Sequence, residues 1–363
     1  MKKKEVKFLV LDITLKGGVE RFIANMAILL NKNGYEVKIY SFHRTNKELL
    51  YKLPSAVDVI YLSGFPFRSF IYKIITFFCC LKVVYLSKAF STPFVIVSTS
   101  PIITIFLSWI SPKLLSNCIA SEHSTYSAHA NWIRALRLRY YRGVKCVVTQ
   151  TIDGAKRFAE AGLPTAQIPN ACTTFSNHQQ WTRPTQQSYD SFTCLSVARF
   201  EEVKQLDHYI EMANIIYQQC PNIHFELVGA GHLEKQLRRR VELYGLSNVF
   251  HIYPPSQQID AFYSKAQVYL ITSKSEAFPM TMIEALSFGV PVIAYDELIG
   301  PKEVIHEGVN GFLCKQNQPA ELAAKVLALY YNYNCHKHLP DNSLKSAQDF
   351  HENTIYNHWV DIL

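Results

Sequence analysis

The sequence contains no C-x-x-C motif, no internal repeat, little glycine and no clean apolar run long enough to cross a bilayer. Its nine cysteines are an odd number at irregular spacing, which excludes both a disulfide framework and a zinc ribbon. Several of them (Cys118, Cys146, Cys194) lie in apolar, strand-like runs, where buried free thiols are common. That usage implies a reducing, cytoplasmic compartment. Fourteen glycines in 363 residues exclude collagen-like and low-complexity chains. Hydrophobic residues at 48% and charged residues at 18% exclude a disordered chain. The opening MKKKEVKFLVLDITLKGG imitates a signal peptide, but Asp12 breaks its short apolar core and no small-x-small cleavage site follows. It reads as a first buried strand. The stretch from Ser69 to Tyr85 is interrupted by Lys73 and Lys82 and falls short of the ~20 residues that a spanning helix needs.

Acidic residues are also missing from one long segment. Between Asp58 and Glu122 there are none, while five cations stand there among many aromatics. Residues 1–175 carry a net charge of +14 and the remainder −6, which together give the formal +8. The first half thus suits an anionic surface such as lipid headgroups, diphosphates or nucleic acid.

Short apolar runs alternate with amphipathic stretches throughout, the pattern of βαβ units and parallel sheets, so the fold class is α/β. In the first half, strands are expected near 7–13, 36–42, 57–62, 94–99, 117–122 and 145–150. A helix should begin after Gly17-Gly18 and stop near Gly34, where glycine can adopt a left-handed cap. Residues 176–191 are polar and aperiodic, the best linker candidate. After them the alternation restarts, with strands near 192–198, 224–229, 249–253, 267–272 and 291–295, and helices near 204–219, 232–244 and 279–288. The expected division is a first domain at 1–175, the linker, a second domain at 192–340, and a final amphipathic helix at 341–363 that could cross back to the first domain. Open α/β domains bind ligands at the carboxyl ends of their strands.

The segment 273–296, SKSEAFPMTMIEALSFGVPVIAYD, carries the sharpest chemistry. It follows a buried strand and opens a helix near Pro279, a favoured first-turn residue. Backbone amides at 278–281 could hold an anion or a ligand hydroxyl. Glu276 in the loop and Glu284 in the helix could accept from sugar hydroxyls; on spacing alone Glu284 fits a solvated helix face equally well. Arg199 and Lys204 follow a strand, and two fixed cations there suit a diphosphate. By themselves they could be ordinary surface charges. Gly17 and Gly18 either admit a ligand close to the backbone or form an ordinary βα turn. His123, at a strand's carboxyl end, either donates to a reacting sugar or is structural. Its neighbour Glu122 should point the other way.

Taken in order, these segments resemble glycosyltransferase family 4, retaining enzymes of the GT-B fold with two Rossmann-like domains. Residues 276–284 resemble its E-x7-E signature, and Gly17-Gly18-Val19-Glu20 its glycine loop. Glu122-His123-Ser124, Ile168-Pro169-Asn170, Ser196-Val197-Ala198-Arg199 with Lys204, Leu227-Val228-Gly229-Ala230-Gly231, Gly300-Pro301-Lys302-Glu303-Val304-Ile305 and Asn310-Gly311-Phe312-Leu313 fall in the family's sequence order. The resemblance implies transfer of a hexose or N-acetylhexosamine from a nucleotide sugar, UDP-linked by family frequency, with retention of configuration. It implies His123, Glu276, Arg199 and Lys204 as catalytic. It implies Gly17, Gly18, Arg199, Lys204, Glu276, Ala277, Phe278, Pro279, Met280, Thr281 and Glu284 around the donor, with Glu284 on the ribose hydroxyls. Pro279 has no N–H to give. No metal or other cofactor is implied, and no Asp-x-Asp occurs. Ala198, Gln205, Ala277 and Pro254 stand where the family commonly has glycine, which puts the geometry of the base pocket in question.

In that fold the first domain holds the acceptor, here a glycan or lipid-diphosphate-linked glycan of O-antigen, capsule or exopolysaccharide synthesis. Arg68, Lys73 and Lys82 alternate with aromatics, and Arg134 and Arg137 lie in a second cluster near Trp132, Tyr140 and Tyr141. These five suit peripheral attachment to anionic lipid at the inner face of a bacterial plasma membrane. Amphipathic core helices share the signature. Nucleic acid is a poorer partner, since no nucleic-acid module is present. Rival readings are a nucleotide-sugar 2-epimerase of the same fold, and a catalytically weak membrane scaffold.

Overall fold

The structure, a computed structural model, describes residues 4–67, 71–87, 93–172, 192–256 and 258–363. The expected linker 176–191 and Arg68 lie outside the described residues. Two compact units are present: Met1–Ala171 with Glu352–Leu363, and Cys172–His351.

The first unit is built on a parallel sheet of seven strands: β1 (Glu5–Val10), β2 (Glu36–Ser41), β3 (Asp58–Tyr61), β4 (Phe94–Ser98), β5 (Cys118–Glu122), β6 (Cys146–Thr149) and β7 (Thr165–Gln167), in the order β3-β2-β1-β4-β5-β6-β7. All six residues of β1 are buried, and its second half, Phe8–Val10, is an unbroken apolar run because both faces of the strand are covered. Val6, Phe8 and Val10 pack with helix Gly18–Lys32 on one side. Leu9 packs with Cys79, Cys80 and Ile103 of helices Tyr72–Ser87 and Pro101–Ile110 on the other. Helix Gly18–Lys32 ends at Asn33, followed by Gly34 at φ +86°, a conformation that glycine adopts without a Cβ penalty.

The second unit holds a six-stranded parallel sheet: β8 (Phe192–Val197), β9 (Ile223–Val228), β10 (Phe250–Tyr253), β11 (Val268–Ile271), β12 (Val292–Tyr295) and β13 (Gly311–Cys314), in the order β10-β9-β8-β11-β12-β13. The short β7 and β13 carry too little apolar alternation to be read from sequence; β7 is half exposed and β13 opens on a glycine. All nine cysteines are free thiols, eight of them buried.

The chain's end departs from the expected single helix. It forms two helices, Leu339–Gln348 in the second unit and Glu352–Val360 in the first. The first unit correspondingly ends at Ala171 and takes back the last twelve residues. The returning helix lays Ile355 and Trp359 into the first unit's core, the indole 5.6 Å from the ring of Phe22. Truncating Trp359, which is 1% exposed, leaves a large void. Trp359→Ala is expected to lower the stability of the first unit by about 3–5 kcal/mol, read from urea unfolding; an unchanged midpoint would contradict this packing.

Candidate active site

In the second sheet the winding reverses between β8 and β11, so the loops after those strands diverge and leave a crevice at their carboxyl ends. Arg199 and Lys204 follow β8, Glu276 follows β11, and Glu284 lies on the next helix, Met280–Ser287. A small cavity there is lined by Ser196, Lys204, Thr272, Glu276, Pro279 and Thr281 among others.

The two loops are stitched together. Lys204 Nζ lies 2.5 Å from Glu276 Oε1, with both side chains less than one-fifth exposed. Ser273 Oγ donates to the same carboxylate oxygen at 2.8 Å. Thr272 Oγ1 donates to the Lys204 carbonyl at 2.9 Å, and the Lys274 amide to the Val203 carbonyl at 2.8 Å. The sequence singled out Lys204 and Glu276 separately, and the structure makes them one ion pair across 72 positions. Arg199 is not part of it: its guanidinium is 58% exposed and pairs with Glu201 at 2.8 Å. The two expected diphosphate cations thus hold different partners.

Gln205, where the family has glycine, sits at φ 43°, ψ 47°. This left-handed backbone explains the glycine preference, because any Cβ is crowded there. The Gln205 amide Nε2 donates to Asn317 Oδ1 at 2.9 Å, and its Oε1 accepts from Gln316 at 3.2 Å. Asn317 is itself left-handed at φ 59°.

Pro279 stands one position before its expected place, as the cap residue of helix Met280–Ser287, whose first turn holds Met280 and Thr281. Phe278 is buried against Phe350, ring centroids 5.4 Å apart. Ala277 offers its carbonyl to Gly300 so closely that a Cβ at Gly300 would collide with it. The glycine of the G-P-K-E-V-I segment is therefore required by the loop of the first glutamate. Glu284 is 2% exposed, which excludes the solvated helix face; Tyr263 Oη donates to its Oε2 at 2.9 Å. Ser273 and Tyr263 were missed because a lone hydroxyl carries no signature. Ser273, three residues before Glu276, opens the segment that sequence reading singled out.

In the first unit, His123 follows β5 and is held on both ring nitrogens. Gln150 Nε2 donates to Nδ1 at 2.7 Å, which leaves the proton on Nε2, 3.0 Å from Ser121 Oγ. Gln150 also donates to Asn170 Oδ1 at 2.9 Å. The Glu-His-Ser and Ile-Pro-Asn segments are thereby joined through a glutamine that sequence reading did not mark. Phe22 covers the imidazole at 4.5 Å. Burial pushes the His123 pKa down to about 3, so the ring is neutral. The glycine loop is not uniformly open: the Glu20 carboxylate folds back into the space a Gly17 Cβ would need, whereas nothing lies near the corresponding position of Gly18. Asp12, noted in sequence only as a break in an apolar run, is fully buried and accepts from the Thr14 amide at 3.0 Å and the Thr45 amide at 2.7 Å. It ties the loop after β1 to the loop after β2.

The expected surface cluster needs one correction. Arg137 is fully buried, not exposed: its Nη1 bonds Glu122 Oε2 and its Nη2 the Tyr126 carbonyl, each at 2.9 Å. Tyr141 Oη donates to the other Glu122 oxygen at 2.6 Å, and burial together with that carboxylate pushes the phenol pKa well up. The reason is local. Glu122 ends a buried strand, and the inward face of helix Asn131–Tyr140 supplies its counter-charge. Arg134 is half-buried beside Tyr126, while Lys73 and Lys82 are exposed.

Two outcomes follow from these burials. Arg137→Ala is expected to cost about 3–5 kcal/mol in urea unfolding, since it strands a buried carboxylate. Lys73→Ala and Lys82→Ala should stay within about 0.5 kcal/mol. For His123 the folded pKa lies below the unfolded one, so the unfolded chain takes up the extra proton first. The stability tied to its neutral ring is complete above the ordinary histidine pKa. It is lost as pH falls toward 3, at up to about 1.4 kcal/mol per pH unit. His123→Gln should flatten that part of the pH–stability curve; an unaltered slope would contradict the neutral ring.

Comparison with known proteins covers both halves. The family described as Glycosyltransferase Family 4 matches residues 16–174, and that described as Glycosyl transferases group 1 matches residues 178–346. An uncharacterized glycosyltransferase of Haemophilus influenzae is 23% identical over 366 residues, covering 99% of this chain and 100% of its own. A Campylobacter jejuni enzyme is 25% identical, over 99% of this chain and 98% of its own. It is the GalNAc-alpha-(1->4)-GalNAc-alpha-(1->3)-diNAcBac-PP-undecaprenol alpha-1,4-N-acetyl-D-galactosaminyltransferase. Other relatives are longer proteins, and the chain spans 25% and 32% of two of them. Among solved structures, HepE of Anabaena in complex with UDP and glucose superposes with a TM-score of 0.77 at 19% identity, over 98% of each chain. With matched families over both units and the paired parallel sheets of the GT-B fold, the chain belongs to glycosyltransferase family 4.

Proposed function

We propose that this glycosyltransferase is a retaining enzyme that moves a hexose or N-acetylhexosamine from a UDP-sugar to a lipid-linked glycan. It would serve a bacterial surface polysaccharide (O-antigen, capsule or exopolysaccharide) at the cytoplasmic face of the membrane. The observation that carries the proposal is the Lys204–Glu276 pair, set where the winding of the second sheet reverses. A cation and a carboxylate held side by side match a donor in which a diphosphate adjoins a sugar: Lys204 takes the phosphate oxygens and Glu276 the sugar hydroxyls. The HepE complex, which holds UDP and glucose, supports that choice of donor, and the lipid-linked substrate named for the Campylobacter enzyme supports the acceptor.

In this reading the acceptor hydroxyl attacks the anomeric carbon on the face from which the diphosphate leaves. The new C–O bond forms as the old one breaks, the bonding pair departs on the phosphate oxygen, and the acceptor's proton passes to that oxygen. Negative charge builds on the leaving group, where Lys204 and Arg199 stabilise it. Arg199 gives up only an exposed pair with Glu201, worth about 0–1 kcal/mol. Glu276 is already committed to Lys204 and Ser273, so it serves as an acceptor for hydroxyls and not as a nucleophile. Glu284, oriented by Tyr263, takes the ribose hydroxyls. Neutral His123 keeps an Nε2–H that it can give to a ligand hydroxyl in exchange for Ser121. The two cations supply the charge that a metal would, so the reaction is metal-independent.

A thermal-shift series with UDP, GDP and ADP tests the donor. UDP at a hundred times its dissociation constant should stabilise by about 2.7 kcal/mol, roughly 5–10 °C. A shift with GDP or ADP in its place would overturn the choice of nucleotide. In turnover assays Lys204→Ala and Glu276→Ala should each lower kcat about 10²–10³-fold, and EDTA should change nothing. Near-normal turnover in either variant would sink the assignment.

A further inference from the structure

Helix Tyr72–Ser87 has two apolar faces. One carries Thr76, Cys79, Cys80 and Val83 and is buried in the first unit. Ile74, Phe78, Leu81 and Tyr85 recur at helical spacing on the opposite side, where they are 58%, 62%, 39% and 73% exposed. A helix that merely covers a sheet carries a polar outer face, and this one does not. The outer stripe continues onto neighbouring helices as a chain of rings. Phe78 meets Phe77 at 6.1 Å, Phe77 meets Phe106 at 5.4 Å, and Phe106 meets Trp109 at 5.4 Å. Half-exposed Trp109 then meets Tyr140 of helix Asn131–Tyr140 at 5.6 Å. An apolar patch shared by three helices marks an interaction surface.

Charge selects the occupant. Lys73, Lys82, Lys113 and Arg139 stand exposed on these helices and the segments joining them, and the sequence from 59 to 121 has no acidic residue. A second copy of the chain would bring these cations against one another. Exposed tryptophan and tyrosine with flanking lysine suit the headgroup level of a bilayer. Among the described residues no helix is long and apolar enough to cross a membrane. We infer that this face docks in the plane of an anionic lipid surface, with Ile74, Phe78, Leu81, Tyr85 and Trp109 at the acyl boundary and the lysines on the headgroups. The inference deepens the proposed function by locating the membrane on which its acceptor would be presented, yet it stands on this surface alone.

The test is co-sedimentation of the full chain with vesicles of phosphatidylcholine, with and without phosphatidylglycerol. The chain should bind the anionic vesicles and lose binding as salt rises. The double variant Ile74→Glu/Phe78→Glu should lower partitioning roughly tenfold or more while keeping the cooperative melting transition of the unaltered chain, which shows it folded. Lys73→Glu/Lys82→Glu should abolish the preference for phosphatidylglycerol. Unchanged partitioning of the apolar variant would overturn the inference. So would a dimer in sedimentation velocity that this variant converts to monomer, since the face would then belong to a second copy. Vesicle binding that is lost in the variant, in a chain that shows no shift with any nucleotide, supports the docking face and overturns the donor reading alone.

Discussion

A parallel sheet whose winding reverses cannot close its loops over the point of reversal, and the chemistry of this protein depends on that constraint. At the β8/β11 reversal two loops from distant parts of the chain are forced apart at their roots. They are then joined by Lys204, Glu276, Ser273 and Thr272. A half-buried ion pair is poorly solvated, so each partner needs the other's charge. The pair therefore holds the loops in place, and it also sets opposite charges side by side at the reversal.

The first unit solves a related problem at the end of β5. Two polar residues in succession, Glu122 and His123, leave the strand toward different neighbours. Glu122 goes to a buried guanidinium and a phenol. His123 goes to Ser121 and Gln150, and through Gln150 to Asn170. Glu122 has its counter-ion buried with it, and the imidazole stays neutral because burial disfavours its charged form. Alternation along the strand sends the two neighbouring side chains to different partners.

The surface of the first unit shows how composition can mislead in detail and still be informative. Arg137 belongs to the interior, and its charge is spent on Glu122. The cations Lys73 and Lys82 are exposed beside an apolar stripe that no part of the described chain covers. The same helix could have buried all of its apolar residues had it lain deeper. It packs through one face only, which leaves the other to the surroundings.

Period and spacing determined a great deal here. The eleven strands read from apolar runs are local patterns, fixed by which residues tolerate burial on both faces of a sheet. The family's motifs marked Lys204, Glu276, Glu284 and His123; three of them follow a strand end, and Glu284 lies on the helix Met280–Ser287 that comes next. Tertiary structure alone decided the rest. That Lys204 and Glu276 touch, that Gln150 links His123 to Asn170, and that Arg137 is interior are all contacts between residues remote in sequence, and no local period encodes them. The same holds for the chain's end, where two short helices of similar amphipathic character join different units. Their faces matched different cores, and only the packed molecule contains that information.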